Sequence, residues 1–183
     1  IVKLVIISQH GHGQKIFAAH QVHIILGNFV IKITLMHPSS SIIKTNRLLL
    51  RPFVNDDIEK VFEGLSHPDV IKYYGVSYNS LEATKAQMEF FADLEKNKTG
   101  MWWAICNPDN SVFYGASGLN SLSQQHKKAE IGFWLLPAYW GQGIITEAVP
   151  LVCDFGFNKL GLHRIEAIIE TDNKNSKNVM SKL

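Results

Sequence analysis

One stretch of the sequence limits the fold more than any other. Two candidate β-strands, at residues 101–106 and 111–119, flank Asn107-Pro108-Asp109-Asn110, whose residue types favour a tight turn and predict a β-hairpin. A third candidate strand, 128–136, follows a short polar loop. Because sequential strands joined by short loops pair with each other, these three are expected to form an antiparallel meander.

The residues after the meander change the class of fold. A loop with two glycines leads into a helix predicted over 144–160, with Gly161 at its C-terminal end. Residues 163–170 then predict a strand, and 173–183 predict the start of a final helix. A meander followed by a strand–loop–helix–strand unit predicts a mixed α/β (α+β) fold rather than a sandwich or a helical bundle.

The first half of this region predicts one strand and two helices. Residues 45–51 form a candidate strand that ends at Pro52, Asn55 or Asp56 is expected to cap the first helix, and Ser80 the second. Apolar residues at helical spacing predict the buried faces, namely Ile58, Val61, Phe62 and Leu65 in the first helix and Met88, Phe90, Phe91 and Leu94 in the second.

Composition excludes several classes of protein. In 183 residues, 18 Lys and Arg stand against 16 Asp and Glu, so no nucleic-acid or membrane partner is expected. The two cysteines, Cys106 and Cys153, are far apart and form no metal-binding pair, which favours a reducing, cytoplasmic environment. Either a monomer or a homodimer is expected.

The N-terminal segment differs from the rest. Residues 1–35 are apolar but poorly patterned, and Met36 resembles a translation start, so we interpret 1–35 as an extension of uncertain status and 36–183 as the domain. Two histidine pairs in the extension, His10 with His12 and His20 with His23, lack acidic or cysteine partners. We therefore expect solvated histidines there and no metal site.

The loop Trp140-Gly141-Gln142-Gly143-Ile144-Ile145 carries the most informative chemistry. Glycines let a backbone turn tightly and approach a ligand, and the first N–H groups of a helix attract a phosphate. Taken alone, a pair of glycines is more often a simple structural turn than a phosphate site. A dinucleotide fingerprint is excluded, because Thr146 replaces its third glycine and the preceding strands form a meander.

From about Ile43 onward the sequence resembles the GNAT-superfamily N-acetyltransferases, in the branch that includes the ribosomal-protein N-terminal acetyltransferases. The motifs that carry the resemblance are TNRLLLRP at 45–52, AEIGFWL at 129–135, YWGQG at 139–143, TEA at 146–148, RIEA at 164–167, and Asn173 and Ser176 followed by Lys182-Leu183.

The resemblance implies a GNAT-like fold, with a mostly antiparallel central sheet, a β-loop-α-β cofactor unit and helices on both faces. It implies acetyl-CoA as co-substrate and direct attack by a primary amine, of a protein N-terminus or a small molecule, in a ternary complex. Trp140 and Ile145 depart from the family pattern, which has Gln or Arg and Gly or Ala there. The cofactor contacts implied are a backbone bulge at Trp134, Leu135 and Leu136, the loop residues Trp140, Gly141, Gln142, Gly143, Ile144 and Ile145, and Asn173 on the pantetheine arm.

The chemistry of acetyl transfer needs a base for the ammonium and a proton for the departing thiolate. Glu130 is our candidate base, through a water, although a strand-face carboxylate paired with Lys127 or Lys128 is a slightly more common role. By the resemblance, Ser176 is a candidate acid or hydrogen-bond donor to the thiolate, with helix capping as its alternative. Glu166 is interpreted as structural. Tyr73, Tyr74, Trp102 and Trp103 either line the acceptor pocket or fill the core.

By the resemblance, Lys182-Leu183 is expected to be followed by a closing β-hairpin, so the chain looks truncated with one sheet edge open. The alternative function is therefore a catalytically inactive CoA-binding domain. Two outcomes for the extension stay open: it is dispensable, which we favour, or an apolar segment such as 23–36 adds a strand to that edge.

Overall fold

The structure, a computed structural model, describes residues 2–8, 22–26, 29–33 and 41–182, the first three segments by their backbone alone. Nine strands lie in these ranges: β1 Val2–Ser8, β2 Val22–Leu26, β3 Phe29–Ile33, β4 Ile43–Lys44, β5 Leu49–Arg51, β6 Met101–Cys106, β7 Phe113–Ser123, β8 Lys128–Leu135 and β9 Arg164–Glu170. The helices are α1 Ile58–Ser66, α2 Pro68–Ile71, α3 Leu81–Lys96, α4 Ile144–Asn158 and α5 Lys174–Met180.

Seven strands form the central sheet in the order β1-β9-β8-β7-β6-β5-β4, and among the described strands β2 and β3 pair with each other in a separate sheet. Every neighbouring pair in the central sheet is antiparallel except β8 and β9. The loop and α4 connect these two parallel strands, as a crossover between parallel strands requires. The predicted fold class is confirmed.

Alternation along the strands places a hydrophobic layer on each side of the sheet. On β6, Trp102 faces α1 and α3, whereas Trp103 faces α4. The first layer includes Phe91 and Leu94 of α3, and the second includes Val149 and Val152 of α4, all buried. Helices therefore cover both faces, and β8 runs between the two layers.

β8 and β9 pair only over their first three residues, from Lys128 opposite Arg164 to Glu130 opposite Glu166. Beyond Glu130 no pairing continues, although β8 extends to Leu135 and β9 to Glu170. The two strands therefore separate toward their C-terminal ends, and this separation opens a cleft inside the sheet.

Two local predictions in the first half were wrong. Of the strand predicted over 45–51, only Leu49–Arg51 (β5) is a strand, because the Thr45 hydroxyl accepts a hydrogen bond from the Leu48 N–H at 2.9 Å and forms a turn between β4 and β5. Asp57, rather than Asn55 or Asp56, occupies the N-cap position of α1, but its side chain makes no capping hydrogen bond to that helix. The Asp57 carboxylate instead accepts from the Val54 N–H at 2.8 Å, at the start of a short 3-10 turn over Asn55–Asp57.

The second helix agrees more closely with its prediction. The Ser80 hydroxyl accepts from the Ala83 N–H at 3.1 Å, as expected for its N-cap. Phe91 and Leu94 are buried as predicted, but Phe90 is 45% exposed. A helical stripe cannot show where its edge lies, because the width of the buried face depends on the elements packed against it.

Part of the N-terminal segment joins the central sheet. β1 pairs antiparallel with β9 along its whole length, from Val2 opposite Glu170 to Ser8 opposite Arg164. The strand on that edge is thus β1 rather than residues 23–36, most of which lie in the separate β2–β3 hairpin or outside the described residues. This pairing favours the alternative, that part of the extension adds a strand, and both outcomes stay predictions.

Within the described residues, no helix has the length and hydropathy needed to cross a bilayer. Those residues also contain no cluster of three or more His, Cys, Asp or Glu side chains suited to a metal ion. His10, His12 and His20 lie outside the described residues, and His23 is described by its backbone alone.

Candidate active site

The cleft between β8 and β9 has a volume of about 340 Å³ and gathers residues from distant parts of the chain. Glu130 of β8 lines this cleft, and so do Asn173 and Ser176 at the start of α5. Five aromatic residues also line it, namely Tyr73, Tyr74, Phe90, Trp102 and Phe133. The structure therefore brings together the two candidate catalytic residues and one candidate cofactor residue.

The glycine loop lies between the end of β8 and the start of α4. Gly141 and Gly143 have φ values of 75° and 77°, in the left-handed region that favours glycine. A Cβ at either position would meet no described atom within 4 Å, so both glycines border open space. α4 begins after Gly143, and its first hydrogen bond back to the loop runs from the Glu147 N–H to the Gly143 carbonyl at 3.1 Å.

This arrangement fits a phosphate. The N–H groups from Gly143 to Thr146 have no intrahelical partner and lie at the positive end of the α4 dipole. The side chains of Ile144 and Ile145 are buried in the core, so those two residues can offer only their backbone to a ligand. Trp140 and Gln142 hold the loop, since the Trp140 indole donates to the Leu135 carbonyl and the Gln142 amide to the Ala138 carbonyl, both at 2.9 Å.

Arg47 adds a contact that the sequence analysis did not anticipate. Its guanidinium donates to the Gln142 carbonyl at 3.1 Å and pairs with Glu147 at 3.4 Å, and Glu147 also accepts from the Thr45 hydroxyl at 2.8 Å. In a trans peptide, C=O and N–H point in opposite directions. Holding the Gln142 carbonyl therefore directs the Gly143 N–H away from Arg47. The Gln142 contact joins residues 95 positions apart, so no local pattern could reveal it.

The bulge implied at residues 134–136 is not present on the β7 side. β7 and β8 pair in unbroken register from Gly115 opposite Leu135 to Asn120 opposite Glu130, and the register shift lies beyond Asn120. The Trp134 side chain is buried in the layer beneath α1, and Leu135 and Leu136 are also buried. These three residues can therefore contact a cofactor only through backbone groups, along the edge of β8 that β9 leaves unpaired.

The two glutamates at the last paired position of β8 and β9, Glu130 and Glu166, have different surroundings. Glu166 pairs with the Arg164 guanidinium at 2.9 Å and with the Lys128 ammonium at 3.5 Å, which is the structural role expected of it. The Glu130 carboxylate forms no hydrogen bond or ion pair with the described residues, and it lines the cleft half-buried. Lys128, one of the two partners considered for Glu130, is therefore engaged elsewhere.

Asn173 and Ser176 begin α5. The Asn173 side-chain oxygen accepts from the Ser176 N–H at 3.0 Å, so Asn173 is the N-cap of this helix. This bond fixes the start of α5 against the cleft. Among the described residues, the Asn173 amide NH₂ group and the Ser176 hydroxyl have no hydrogen-bond partner, and both side chains line the cleft. Capping and a ligand contact are therefore compatible at Asn173.

The four aromatic residues considered for the acceptor pocket divide into two groups. Trp103 is fully buried in the layer beneath α4 and has a core role. Trp102, Tyr73 and Tyr74 border the cleft, and the Trp102 indole is fixed by a 2.7 Å hydrogen bond to the Asn120 side chain. Burial raises the pKa of Tyr74, so its hydroxyl stays protonated at neutral pH.

Comparison with known proteins identifies this architecture. A family model described as an acetyltransferase (GNAT) domain matches residues 47–183. The chain belongs to the GNAT family of acetyltransferases. The resemblance drawn from the sequence is thereby confirmed, and the GNAT domain includes the glycine loop, the cleft and α5.

Named relatives agree with this assignment. The GNAT chain is 36% identical over 143 residues to the uncharacterised N-acetyltransferase YoaA of Bacillus subtilis (strain 168), covering 78% of this chain and 81% of that one. Spermidine N-acetyltransferase from Vibrio cholerae, solved with CoA and spermine, superposes with a TM-score of 0.67 at 16% identity, covering 75% and 80%. A candidate ribosomal-protein-serine acetyltransferase from Vibrio cholerae gives 0.68 at 20% identity, covering 77% and 80%. The GNAT protein is an N-acetyltransferase enzyme.

Proposed function

We propose that this GNAT enzyme transfers the acetyl group of acetyl-CoA to a primary amine, of a protein N-terminus or a small molecule, by direct attack in a ternary complex. The observation that carries the proposal is the cleft between β8 and β9, which both Glu130 and Ser176 line. Glu130 lies at the last paired position, where the two strands begin to separate. The Vibrio cholerae relative solved with CoA and spermine supports both the donor and an amine acceptor.

The glycine loop is proposed to hold the pyrophosphate of CoA. Gly141, Gly143 and the first turn of α4 offer N–H groups and open space, and Arg47 fixes the direction of one of those N–H groups. The full set of proposed cofactor contacts is the backbone of Trp134, Leu135 and Leu136, the loop Trp140, Gly141, Gln142, Gly143, Ile144 and Ile145, and the Asn173 amide. The unpaired edge of β8 offers backbone groups to a pantetheine arm that runs from the loop toward Glu130.

Two side chains are proposed to move protons. Glu130, half-buried and without a partner among the described residues, takes a proton from the acceptor ammonium through a water. The neutral amine then forms a bond to the thioester carbonyl carbon, and the carbon–sulfur bond breaks. The thiolate that leaves receives a hydrogen bond or a proton from the Ser176 hydroxyl. As the amide forms, the nitrogen loses its second proton, which ends on CoA directly or replaces the proton that Ser176 gave, and Glu130 returns its proton to solvent. The products are an acetylated amine and CoA.

Residues 36–183 are proposed to be the acetyltransferase domain, with β1 extending its sheet beyond β9. The domain is expected to keep its fold in a reducing environment, because Cys106 and Cys153 are free and buried.

Two measurements test the proposal. Acetyl-CoA and CoA should raise the melting temperature, because a ligand that binds only the folded state stabilises it, whereas NAD should have no effect. Release of CoA should then be followed with a panel of primary amines, in the parent and in the Glu130→Gln variant, with Glu63→Gln as a control on an exposed helix surface. Equal shifts with NAD, or thermal stabilisation by CoA without acetyl transfer to any amine, would contradict the proposed activity.

A further inference from the structure

A second cavity, of about 460 Å³, lies at the N-terminal ends of β8 and β9, and the proposed function does not use it. It is lined by His126, Lys128, His163 and Arg164, all of which carry nitrogen donors. No acidic residue is among the described residues that line it.

The backbone around this basic cavity is fixed. The Lys127 carbonyl accepts from the His163 N–H at 2.7 Å and from the Arg164 N–H at 3.2 Å. These bonds join the turn between β7 and β8 to the start of β9. The four donors therefore lie on connected elements of the sheet.

The cavity and the proposed base lie on the same side of the sheet. Lys128 and Glu130 are two residues apart on β8, so their side chains share a face, and the same holds for Arg164 and Glu166 on β9. Because Lys128 lies opposite Arg164 and Glu130 opposite Glu166, a basic row runs beside an acidic row. Two residues along a parallel strand span roughly 6.6 Å, which separates the rows.

The four charges of these two rows sum to zero, but the Glu130 carboxylate lines the other cleft and not the basic cavity. Lys128 and Arg164 both pair with Glu166, whose side chain is only 12% exposed. Two cations thus share one carboxylate, and one positive charge remains in excess beside the two imidazoles. The side chains of Lys128 and Arg164 are 34% and 45% exposed, so an incoming anion can reach them.

We propose that the basic cavity is a subsite for the acceptor, and that the preferred acceptor is the N-terminus of a peptide with carboxylate side chains at its second or third residue. The inference rests on the proposed function, because it assumes that the acceptor amine lies at Glu130. An extended peptide advances about 3.3–3.6 Å per residue, so a carboxylate two residues beyond the amine reaches the basic row. Partly exposed ion pairs are individually weak, and the two pairs that one carboxylate forms with Lys128 and Arg164 correspond together to about a tenfold preference in affinity.

The test uses two peptide amides of equal length that differ only in carrying Glu or Gln at the second and third residues. Calorimetry measures their affinity for the full chain, with and without CoA, so that no turnover is needed. The parent should bind the Glu peptide about tenfold more tightly than the Gln peptide, and added salt should reduce this difference. In kinetics the preference should appear in KM and leave kcat nearly unchanged.

Variants of the cavity separate a subsite from a general charge effect. Arg164→Gln should reduce the preference to less than about threefold without changing the affinity for the Gln peptide, since Lys128 remains to pair with Glu166. Lys127→Asn is the matched control, because Lys127 lies in the same turn but does not line the cavity, and its left-handed φ of 46° suits Asn. Lys127→Asn should keep the full preference.

Equal affinity for the two peptides, no binding of either, or an equal loss of preference in both variants would overturn the inference. Failure of the proposed function would look different. In that case CoA binding or acetyl transfer to simple amines is absent in the parent chain, whatever the two peptides do.

Discussion

Gly143→Ala is the sharpest test of the proposed phosphate site. Gly143 has a φ of 77°, and an added Cβ would meet no described atom within 4 Å, so the substitution causes no clash in the free protein. Its structural cost is the left-handed conformation alone, about 1–2 kcal/mol of unfolding free energy for a residue with a Cβ. A chain that is stable by the usual 5–15 kcal/mol therefore stays folded.

The expected loss of CoA affinity is larger than the lower stability of the variant alone would cause. The Cβ projects from the residue whose N–H is proposed to meet the pyrophosphate, and a hydrogen bond to a charged group contributes about 1.5–3 kcal/mol. Loss of that bond weakens binding about 10- to 150-fold. Isothermal titration calorimetry with CoA gives this ratio directly, and chemical denaturation gives the stability of the same sample.

Gly161→Ala supplies the matched control. Gly161 also has a left-handed φ, of 68°, and open space around a Cβ, but it follows α4 at the opposite end from the loop. It should lose the same stability as Gly143→Ala and bind CoA as the parent does. If both variants bind CoA equally well, the pyrophosphate is not at Gly143, and the reasoning from the glycine loop is refuted.

Four further predictions follow from the geometry. Arg47→Gln should weaken CoA binding about three- to tenfold, because Arg47 acts on the loop through the Gln142 carbonyl. The unfolding free energy should fall by under about 0.5 kcal/mol, because Arg47 is exposed, and an unchanged CoA affinity by calorimetry would exclude its positioning role. Arg51→Met should lower the unfolding free energy by about 3 kcal/mol, because Asp57, whose side chain is 7% exposed and 2.7 Å away, loses its partner. Lys60→Met, which breaks the exposed pair with Glu63, should cost under about 0.5 kcal/mol, and equal denaturation midpoints for the two variants would contradict this. Burial raises the pKa of Cys106 to about 11 and of Cys153 to about 12, so both thiols of the folded protein should resist Ellman's reagent at about pH 8. The free energy of unfolding should begin to fall above pH 9.0, the thiol pKa of the unfolded chain, because only the unfolded chain ionises there. Rapid labelling of the native protein would disprove the burial. Deleting residues 1–35 should lower the denaturation midpoint and increase light scattering, because removing β1 exposes the edge of β9; identical curves for both chains would show the segment to be dispensable.

The amino-acid sequence determined the local elements well where one rule dominates. β6 has the predicted bounds, α4 begins at the predicted residue, and Ser80 caps α3, because hairpin turns, left-handed glycines and N-caps depend on a few neighbouring residues. The resemblance added the family, and with it the expectation that residues on β8, the loop and α5 would share one site. Roles for Glu130 and Ser176 remain predictions.

Tertiary structure decided which of these residues face one another. Periodicity could not show that Lys128 pairs with Glu166 and leaves Glu130 in the cleft, since that choice depends on the register of β8 against β9. Nor could it show that Phe90 is exposed, that β1 lies on the edge of β9, or that Arg47 holds the Gln142 carbonyl. Each of these contacts joins distant positions or depends on what packs nearby, and the energy that selects them exists only once the sheet has formed.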